Sequence, residues 1–304
     1  MKRMVGVIGG CLVLLAAVGF GQQTSVFLRV VSPTGSVITA LSPDGTMTWT
    51  NAATAGVTCT VQRAETLAGP SNWVDYVQHE VTNAAMVLRL FDPTPPAGMA
   101  LIPAGSFQMG DNLGDGWYPE VPVHTVYVSA FYMDKTEVTW AKWQEVRDWA
   151  ATNGYDIGSV GTGKADSHPV HIVNWYDCVK WCNARSQKEG RTPCYTRGGV
   201  TYNTEEHDDI VCNWVATGYR LPTEAEWEKA ARGGLSGKRF PWGDTIQHSR
   251  ANYNSSASYA YDTSPKRGYQ PDYDNSPSPY TSPCGSFAAN GYGLYDMSGN
   301  LWEW

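Results

Sequence analysis

The residues with the greatest capacity for chemistry in this sequence are its seven cysteines. Cys11 lies in an apolar stretch near the N-terminus. Thiols pair as disulfides in an oxidising compartment, or bind soft metals such as copper as thiolates. A single cysteine is more often a buried, small apolar residue, which is our interpretation of Cys59. The remaining cysteines are Cys178, Cys182, Cys194, Cys212 and Cys284.

Spacing suggests two cysteine pairs. Cys194 and Cys212 bracket a polar stretch rich in strand-forming residues, so we predict a hairpin closed by a disulfide between them. Cys178 and Cys182 are four residues apart on a predicted helix, where side chains at this spacing can meet. Copper binding requires thiolates that converge from rigid elements on a groove.

The N-terminus has the pattern of an export signal. Met1-Lys2-Arg3 precede an apolar stretch that ends near Phe20, with small residues at Gly19 and Gly21. We therefore predict a signal peptide at residues 1–21 and a periplasmic, cell-surface or secreted location. A transmembrane anchor is the alternative, but the apolar run is short and interrupted by glycines. No membrane span is expected after cleavage.

Charge excludes two classes of partner. The formal net charge is -7, and no run of Lys or Arg occurs along the chain. Such a chain has no positive field to attract phosphates, so neither nucleic acid nor an anionic membrane surface is an expected partner.

The chain is long enough for two folded units. Residues 22–91 contain short apolar runs separated by turn residues and predict a small all-β, sandwich-like domain. Residues 92–98 are rich in proline and predict a linker. Residues 99–304 form the second domain. The strands predicted before the linker lie at 26–31, 36–41, 46–50, 57–62 and 86–90.

The second domain mixes short strands with three helices. Two strands around a turn are predicted within 99–110, a further strand at 124–132, and helices at 139–150 and about 176–188. The third helix has Thr223 and Glu226 as a capping box. Long irregular stretches follow, and they need another source of order, such as a bound metal.

Six motifs occur in one order along this domain, and together they resemble the formylglycine-generating enzyme (sulfatase-modifying factor) family. The resemblance covers about residues 98–304. The motifs are residues 99–110, Phe131-Tyr132-Met133-Asp134 with Glu137-Val138-Thr139, His168-Pro169-Val170 leading to Asn174-Trp175, residues 218–228, Phe240-Pro241-Trp242-Gly243, and residues 291–304.

The resemblance implies an α+β fold of C-type-lectin-like type, with much irregular structure and with structural calcium. Active family members use copper and oxygen to oxidise a cysteine of a sulfatase to formylglycine. Their copper binds two cysteines downstream of the tryptophan-rich motif in which this sequence ends. We therefore expect the catalytic pair beyond Trp304 of an exported bacterial protein, and no oxidation by residues 1–304 alone.

The resemblance also implies calcium ligands. One site would use the side chains of Asp296 and Glu303 with the carbonyls of Gly299 and Leu301. A second site would use Asn252, the carbonyl of Tyr253 and Asp274. Because the spacing departs from the family pattern there, Asp272 or a lost site are alternatives to Asp274.

Further roles follow from the same resemblance. Trp302 matches an aromatic residue near the substrate groove, and Glu120 matches an acid that contacts the substrate peptide. Cys182 matches a cysteine that forms a structural disulfide with the segment beyond Trp304. His124, His168 and His171 lack the ligand spacing of the iron-dependent sulfoxide synthases, which are a related branch.

Three functions remain open from the sequence. The first is an oxidase that acts on a sulfatase, or on another protein or peptide, when the cysteine segment is present. The second is a non-catalytic, lectin-like recognition module at the cell surface. The third is a structural or regulatory surface protein.

Overall fold

The structure is a computed structural model of the 304-residue chain. It divides into two compact units, Met1–Gly110 with Tyr118–Met133, and Asp111–Trp117 with Asp134–Trp304. The described residues are the strands between residues 4 and 89, together with 95–114, 120–214, 216–275 and 278–304.

The part of the first unit before the predicted linker contains two antiparallel sheets. One has the order β1 (Met4–Ile8), β2 (Cys11–Val18), β3 (Val26–Val31), β6 (Thr58–Ala64) and β7 (Val74–Glu80), and the other has the order β4 (Ser36–Leu41), β5 (Thr46–Asn51) and β8 (Ala85–Arg89). The five predicted strands are confirmed, and β7 is an addition.

Buried side chains in the first unit come from both sheets. Val30 on β3, Trp49 on β5 and Cys59 on β6 are buried. Cys59 is therefore the small core residue that was predicted. The strands β1 and β2 lie within the predicted signal peptide, which itself stays a prediction.

The first unit extends beyond the predicted linker. β10 (Gly105–Met109) pairs with β11 (His124–Val128), and β9 (Met99–Ile102) pairs with β12 (Phe131–Asp134). The single strand predicted at 124–132 is thus two strands with different partners. The predicted domain boundaries stay predictions.

The second unit begins with two helices packed around a tryptophan pair. α1 (Trp140–Ala151) is capped by Thr139, and α2 (Trp175–Lys188) has a capping box formed by Asn174 and Asp177. The rings of Trp143 and Trp181 are stacked, with centroids 5.5 Å apart, and both are buried. Stacked, buried indoles of this kind stabilise a small core strongly.

A short sheet and a third helix follow. β13 (Tyr195–Arg197) pairs with both β14 (Val200–Thr201) and β15 (Val211–Cys212). α3 (Glu224–Arg232) has the predicted capping box and ends at Gly233, which is left-handed at φ 57°. The three predicted helices are confirmed.

The described residues after Gly233 form turns and isolated bridges only. Polar contacts join this region to other segments, since Thr281 Oγ1 lies 2.9 Å from His168 Nδ1 and Ser282 N donates to Asn300 Oδ1 at 2.9 Å. With small helices, small sheets and this long irregular part, the fold is α+β, as predicted. None of the helices that the structure describes has both the length and the apolar character needed to span a bilayer.

The capping box of α3 gives a stability prediction. Thr223 Oγ1 accepts from Glu226 N, and the Glu226 carboxylate accepts from Thr223 N at 2.9 Å. Thr223→Ala removes one of these bonds and should lower the free energy of unfolding by about 1 kcal/mol, measured by urea denaturation. Thr223→Ser keeps the hydroxyl and should stay within about 0.5 kcal/mol of the wild type. Equal losses in both variants would contradict the capping role.

Candidate functional site

Three carboxylates from distant parts of the sequence meet in the second unit. Glu137 follows β12, whereas Asp296 and Glu303 belong to the loop at residues 296–303. The Glu137 carboxylate accepts from Asn300 Nδ2 at 2.7 Å and from Leu301 N at 3.3 Å. The loop is therefore fixed to Glu137 by two hydrogen bonds.

The other two carboxylates also have fixed donors. Asp296 accepts from Gly285 N, and Glu303 accepts from the indole Nε1 of Trp227 at 2.9 Å. Trp227 lies on α3, so the well-capped helix positions Glu303. These contacts join three of the sequence motifs at one place.

The backbone of the loop is tightly turned. Asp296 and Asn300 have positive φ values of 57° and 70°. A Cβ at Gly299 would lie 2.4 Å from the carbonyl oxygen of Asn252, and that same oxygen accepts from Asn300 N at 2.8 Å. Non-glycine residues at positive φ are strained and cluster at functional sites.

Burial and mutual repulsion favour the protonated forms of these acids. Desolvation raises the pKa of Glu137 to about 8, the charges of Glu303 and Asp296 add to this, and the bonds from Asn300 and Leu301 oppose it. Desolvation also raises the pKa of Asp296, against the bond from Gly285. It raises the pKa of Glu303 too, even though this residue keeps exposed surface. A cation would relieve the repulsion.

The donor chemistry suits a hard cation. Calcium takes six to eight oxygen ligands, including carboxylates and backbone carbonyls, in flexible geometry. Among the described residues, no three His, Cys, Asp or Glu side chains are arranged to hold a metal by themselves. A cation here would need backbone carbonyls, as in the predicted set of Asp296, Gly299, Leu301 and Glu303. These four residues lie on the loop that Glu137 fixes.

The second predicted set makes other contacts. Asn252 is buried, and its Nδ2 donates to Tyr280 O at 2.8 Å and to Asn300 Oδ1 at 3.2 Å. The carbonyl oxygen of Tyr253 lies 3.2 Å from Nε2 of His248. Asp274 is exposed on the surface. The structure thus connects Asn252 to the loop of the first set.

The buried acid beside Tyr253 is Asp262, which the sequence analysis did not select. Its carboxylate accepts from Tyr253 Oη at 2.8 Å and from Ser256 N at 2.8 Å. Arg267 lies 3.0 Å from it. The hydrogen bonds to Ser255, Ser264 and these groups outweigh desolvation and lower the pKa of Asp262. This carboxylate already has a cation within the chain.

The structure describes the cysteines of the second unit without a disulfide bond between them. Desolvation raises the pKa of Cys178 to about 12 and also raises that of Cys182, so both side chains on α2 are protonated. Tyr195 pairs with Cys212 across the sheet. Successive side chains along a strand point to opposite faces of the sheet. Cys194, next to Tyr195, is buried. The disulfide between Cys194 and Cys212 stays a prediction.

Two residues were predicted to contact substrate. Trp302 is fully exposed, at 103 % of its reference area, and Glu120 is also exposed. Trp304 donates its indole N–H to Val173 O at 3.3 Å, which ties the last residue to the segment before α2. Exposure leaves Trp302 accessible to a ligand, and the groove assignment stays a prediction for both residues.

A family model described as the sulfatase-modifying factor enzyme 1-like domain matches residues 89–304. The chain belongs to this family. The expected family membership is thereby confirmed.

Relatives within the sulfatase-modifying factor family carry different names. The chain is 36% identical over 191 residues to the chaperone protein LppX of Paenibacillus barcinonensis. This aligned region covers 59% of this chain and 62% of that protein. It is 33% identical over 241 residues to the formylglycine-generating enzyme of Streptomyces coelicolor, and this region covers 70% of this chain and 69% of that enzyme. It is 30% identical over 235 residues to the inactive Cα-formylglycine-generating enzyme 2 of Mus musculus, covering 71% and 70%. The chain therefore spans less than two thirds of the first of these relatives.

A solved structure supports the fold. The crystal structure of CarF matches with a TM-score of 0.53 and 30% identity, over 68% of this chain and 78% of that one. The matched relatives thus include proteins named as enzymes and a protein named as inactive.

Sequence reasoning missed Glu137, Asn300 and Trp227 as site residues. Each lies in a motif that carried the resemblance, but no local pattern indicated that these motifs meet. Glu137 is 159 positions before Asp296 in the sequence. The signal that could have found it is its own motif, in which an acid immediately precedes Val138 and Thr139, the N-cap of α1.

Proposed function

We propose that the second domain is the scaffold of an exported formylglycine-generating oxidase, and that its C-terminal loop is braced by calcium. The observation that carries the proposal is the attachment of the tryptophan-rich loop to Glu137 and Trp227 through three carboxylate contacts. The complete protein would oxidise a cysteine of a sulfatase or another peptide. The scaffold would be C-type-lectin-like, and the two N-terminal sheets would form a sandwich.

Calcium fits the residues present. Asp296 and Glu303 would bind it with their carboxylates, together with the carbonyls of Gly299 and Leu301. The bound ion would neutralise acids that otherwise repel each other, and so would hold the loop in its strained conformation. Glu137 would stay hydrogen-bonded to Asn300 and would hold the loop in place through this contact.

The two cysteines on α2 are poor candidates for copper ligands. Soft-metal binding requires thiolates, whereas burial raises the pKa of Cys178 to about 12 and also raises the pKa of Cys182. We therefore assign copper to a cysteine pair that would follow Trp304 in the complete protein. The role of residues 1–304 would be to hold the loop and to present the exposed Trp302 to a substrate peptide.

A recognition module without catalysis is the second candidate. It is favoured by a relative named as inactive. In that case the same loop would bind a polypeptide without oxidising it. A structural or regulatory surface protein would show neither binding nor oxidation.

The test is direct oxidation of a peptide. The protein expressed from its complete gene, loaded with copper and calcium, is incubated in air with a peptide that contains Cys-x-Pro-x-Arg. Mass spectrometry should show conversion of the thiol to an aldehyde, and no conversion of a peptide with Ser in place of Cys. Trp302→Ala should slow the conversion by about tenfold or more, if Trp302 contacts the peptide.

The other outcomes separate the alternatives. A peptide that binds but stays unchanged would favour the recognition module. A peptide that neither binds nor changes would contradict both functions.

A further inference from the structure

Asn300, in the loop at residues 296–303, uses its whole side-chain amide in hydrogen bonds. Its Nδ2 donates to Glu137 Oε2 at 2.7 Å and to Ser282 O at 3.3 Å. Its Oδ1 accepts from Ser282 N at 2.9 Å and from Asn252 Nδ2 at 3.2 Å. An amide group donates two hydrogen bonds and accepts two, so this side chain has no oxygen lone pair left for a ligand of its own.

The orientation of this amide is fixed by its partners. Two N–H groups face Oδ1, and a carboxylate and a carbonyl face Nδ2, so a flipped amide would place donors against donors. Asn252 is itself oriented, because its Nδ2 also donates to Tyr280 O at 2.8 Å. The partners Glu137, Asn252 and Ser282 belong to three separate segments, and Asn300 therefore holds the loop to all three.

The peptide bond between Gly299 and Asn300 is oriented by one of these segments. Asn300 N donates to the carbonyl oxygen of Asn252 at 2.8 Å. The N–H and C=O of a planar trans peptide point in opposite directions. The hydrogen bond therefore turns the carbonyl of Gly299 away from Asn252.

The network leaves two neighbouring carbonyl oxygens available. Neither Gly299 O nor Leu301 O accepts a hydrogen bond from any residue that the structure describes. Both residues are half-buried, and backbone carbonyls shielded from water are normally paired. These are the two carbonyls of the predicted calcium set, and hard cations bind such oxygens.

Asn300 also suits the backbone conformation of the loop. Its φ is 70°, in the left-handed region. Asparagine enters this region more readily than other non-glycine residues, because its short polar side chain can form local hydrogen bonds. A side-chain network in which every donor and acceptor is used favours a single conformation. The residue thus supplies both the backbone turn and the contacts that hold it.

We propose that Asn300 is a positioning residue for the proposed calcium ion and is not itself a ligand. Its amide and its main-chain N–H would hold the peptide bond of Gly299 so that the carbonyl stays turned away from Asn252 and available to the ion. Glu137 and Asn252 would act on the ion through Asn300. The inference rests on the calcium-braced loop of the proposed function and is independent of the oxidation.

One nuclear magnetic resonance signal tests this in the wild type. Gly299–Asn300 is the one Gly–Asn pair within residues 1–304, so labelling of glycine carbonyls with ¹³C and of asparagine with ¹⁵N isolates this peptide bond. The signal that disappears in Asn300→Gly belongs to it. The protein is expressed from its complete gene and treated with EGTA. Calcium chloride should then shift the Gly299 carbonyl signal saturably, and Asn300 N–H should exchange slowly with water.

Two glycine variants compare this amide with one of purely structural role. Asn300→Gly permits the same φ but removes the amide, and should weaken calcium binding by about tenfold or more in a calorimetric titration. Asn290→Gly is the matched control. The Asn290 amide also makes several hydrogen bonds, from Nδ2 to Ala230 O and from Tyr292 N and Leu294 N to Oδ1. Its loss should lower the melting temperature but keep calcium affinity within about twofold.

Terbium distinguishes positioning from a loss of stability. Tb³⁺ binds oxygen ligands as calcium does, and its luminescence decay in H₂O and in D₂O counts the water molecules on the ion. At saturating terbium, Asn300→Gly should carry about one more water than the wild type, because water replaces the Gly299 carbonyl. Asn290→Gly should carry the wild-type number.

Three results would overturn the inference. They are a Gly299 carbonyl signal that calcium does not shift, wild-type affinity and hydration in Asn300→Gly, and equal changes in Asn300→Gly and Asn290→Gly. Absence of calcium binding in the wild type would contradict the calcium-braced loop as well. Loss of peptide oxidation with these calcium results intact would contradict only the proposed oxidase.

Discussion

Removal of calcium by EGTA is expected to lower the melting temperature of the protein by about 5–10 °C near pH 7. A ligand present at one hundred times its dissociation constant stabilises the folded state by about 2.7 kcal/mol. Each kcal/mol shifts the melting temperature by about 2–4 °C for a domain of this size. The physical reason is that the proposed ion would offset the repulsion between Asp296, Glu303 and Glu137. Differential scanning calorimetry with and without calcium measures the shift.

Matched variants separate the two predicted calcium sites. Asp296→Asn should abolish the response to calcium, because it removes the charge of one proposed ligand in the loop. Asp274→Asn, at an exposed position, should keep the full response. A response that is absent in the wild type, or that is lost in Asp274→Asn and kept in Asp296→Asn, would contradict the assignment to the loop.

Without calcium, the free energy of unfolding should fall as the pH rises from about 4.5 to 8. The pKa of Glu137 is raised from 4.5 to about 8, so the folded state binds a proton that the unfolded state releases. The contribution is fully present below 4.5 and is lost as the pH passes through 8, with an upper limit of about 5 kcal/mol. Urea denaturation at a series of pH values in EGTA measures this slope.

Glu137→Gln should remove most of this slope, and should make the calcium-free protein more stable than the wild type at pH 8. Saturating calcium should flatten the slope of the wild type, because a cation stabilises the charged form of the acids. Glu145→Gln is the control. Glu145 lies on α1, and its ion pair with Lys188 lowers its pKa. A slope that persists in Glu137→Gln would show that other groups cause it.

The helices could be predicted from the sequence because their signals are local. The capping box of Thr223 and Glu226 lies within four residues, and Gly233 follows directly as the left-handed stop. The strands of the first unit could be predicted for the same reason, because each is a short apolar run bounded by turn residues. The break between β11 and β12 was missed because it depends on pairing with different partners.

The site could be predicted only in part, because its contacts are not local. Asp296 and Glu303 lie in one motif and were selected, whereas Glu137 reaches them only through the folded chain. Asp274 was selected by its approximate spacing, but the buried acid beside Tyr253 is Asp262 with Arg267. An irregular fold held by buried polar side chains gives little periodicity from which to predict such contacts.

Calcium titration by isothermal calorimetry, on protein first treated with EGTA and desalted, measures binding to the proposed loop site itself. We expect one stoichiometric site in the wild type, and its heat should disappear in Glu303→Gln. Absence of calcium binding in the wild type, or unchanged binding in Glu303→Gln, would contradict a calcium-braced loop.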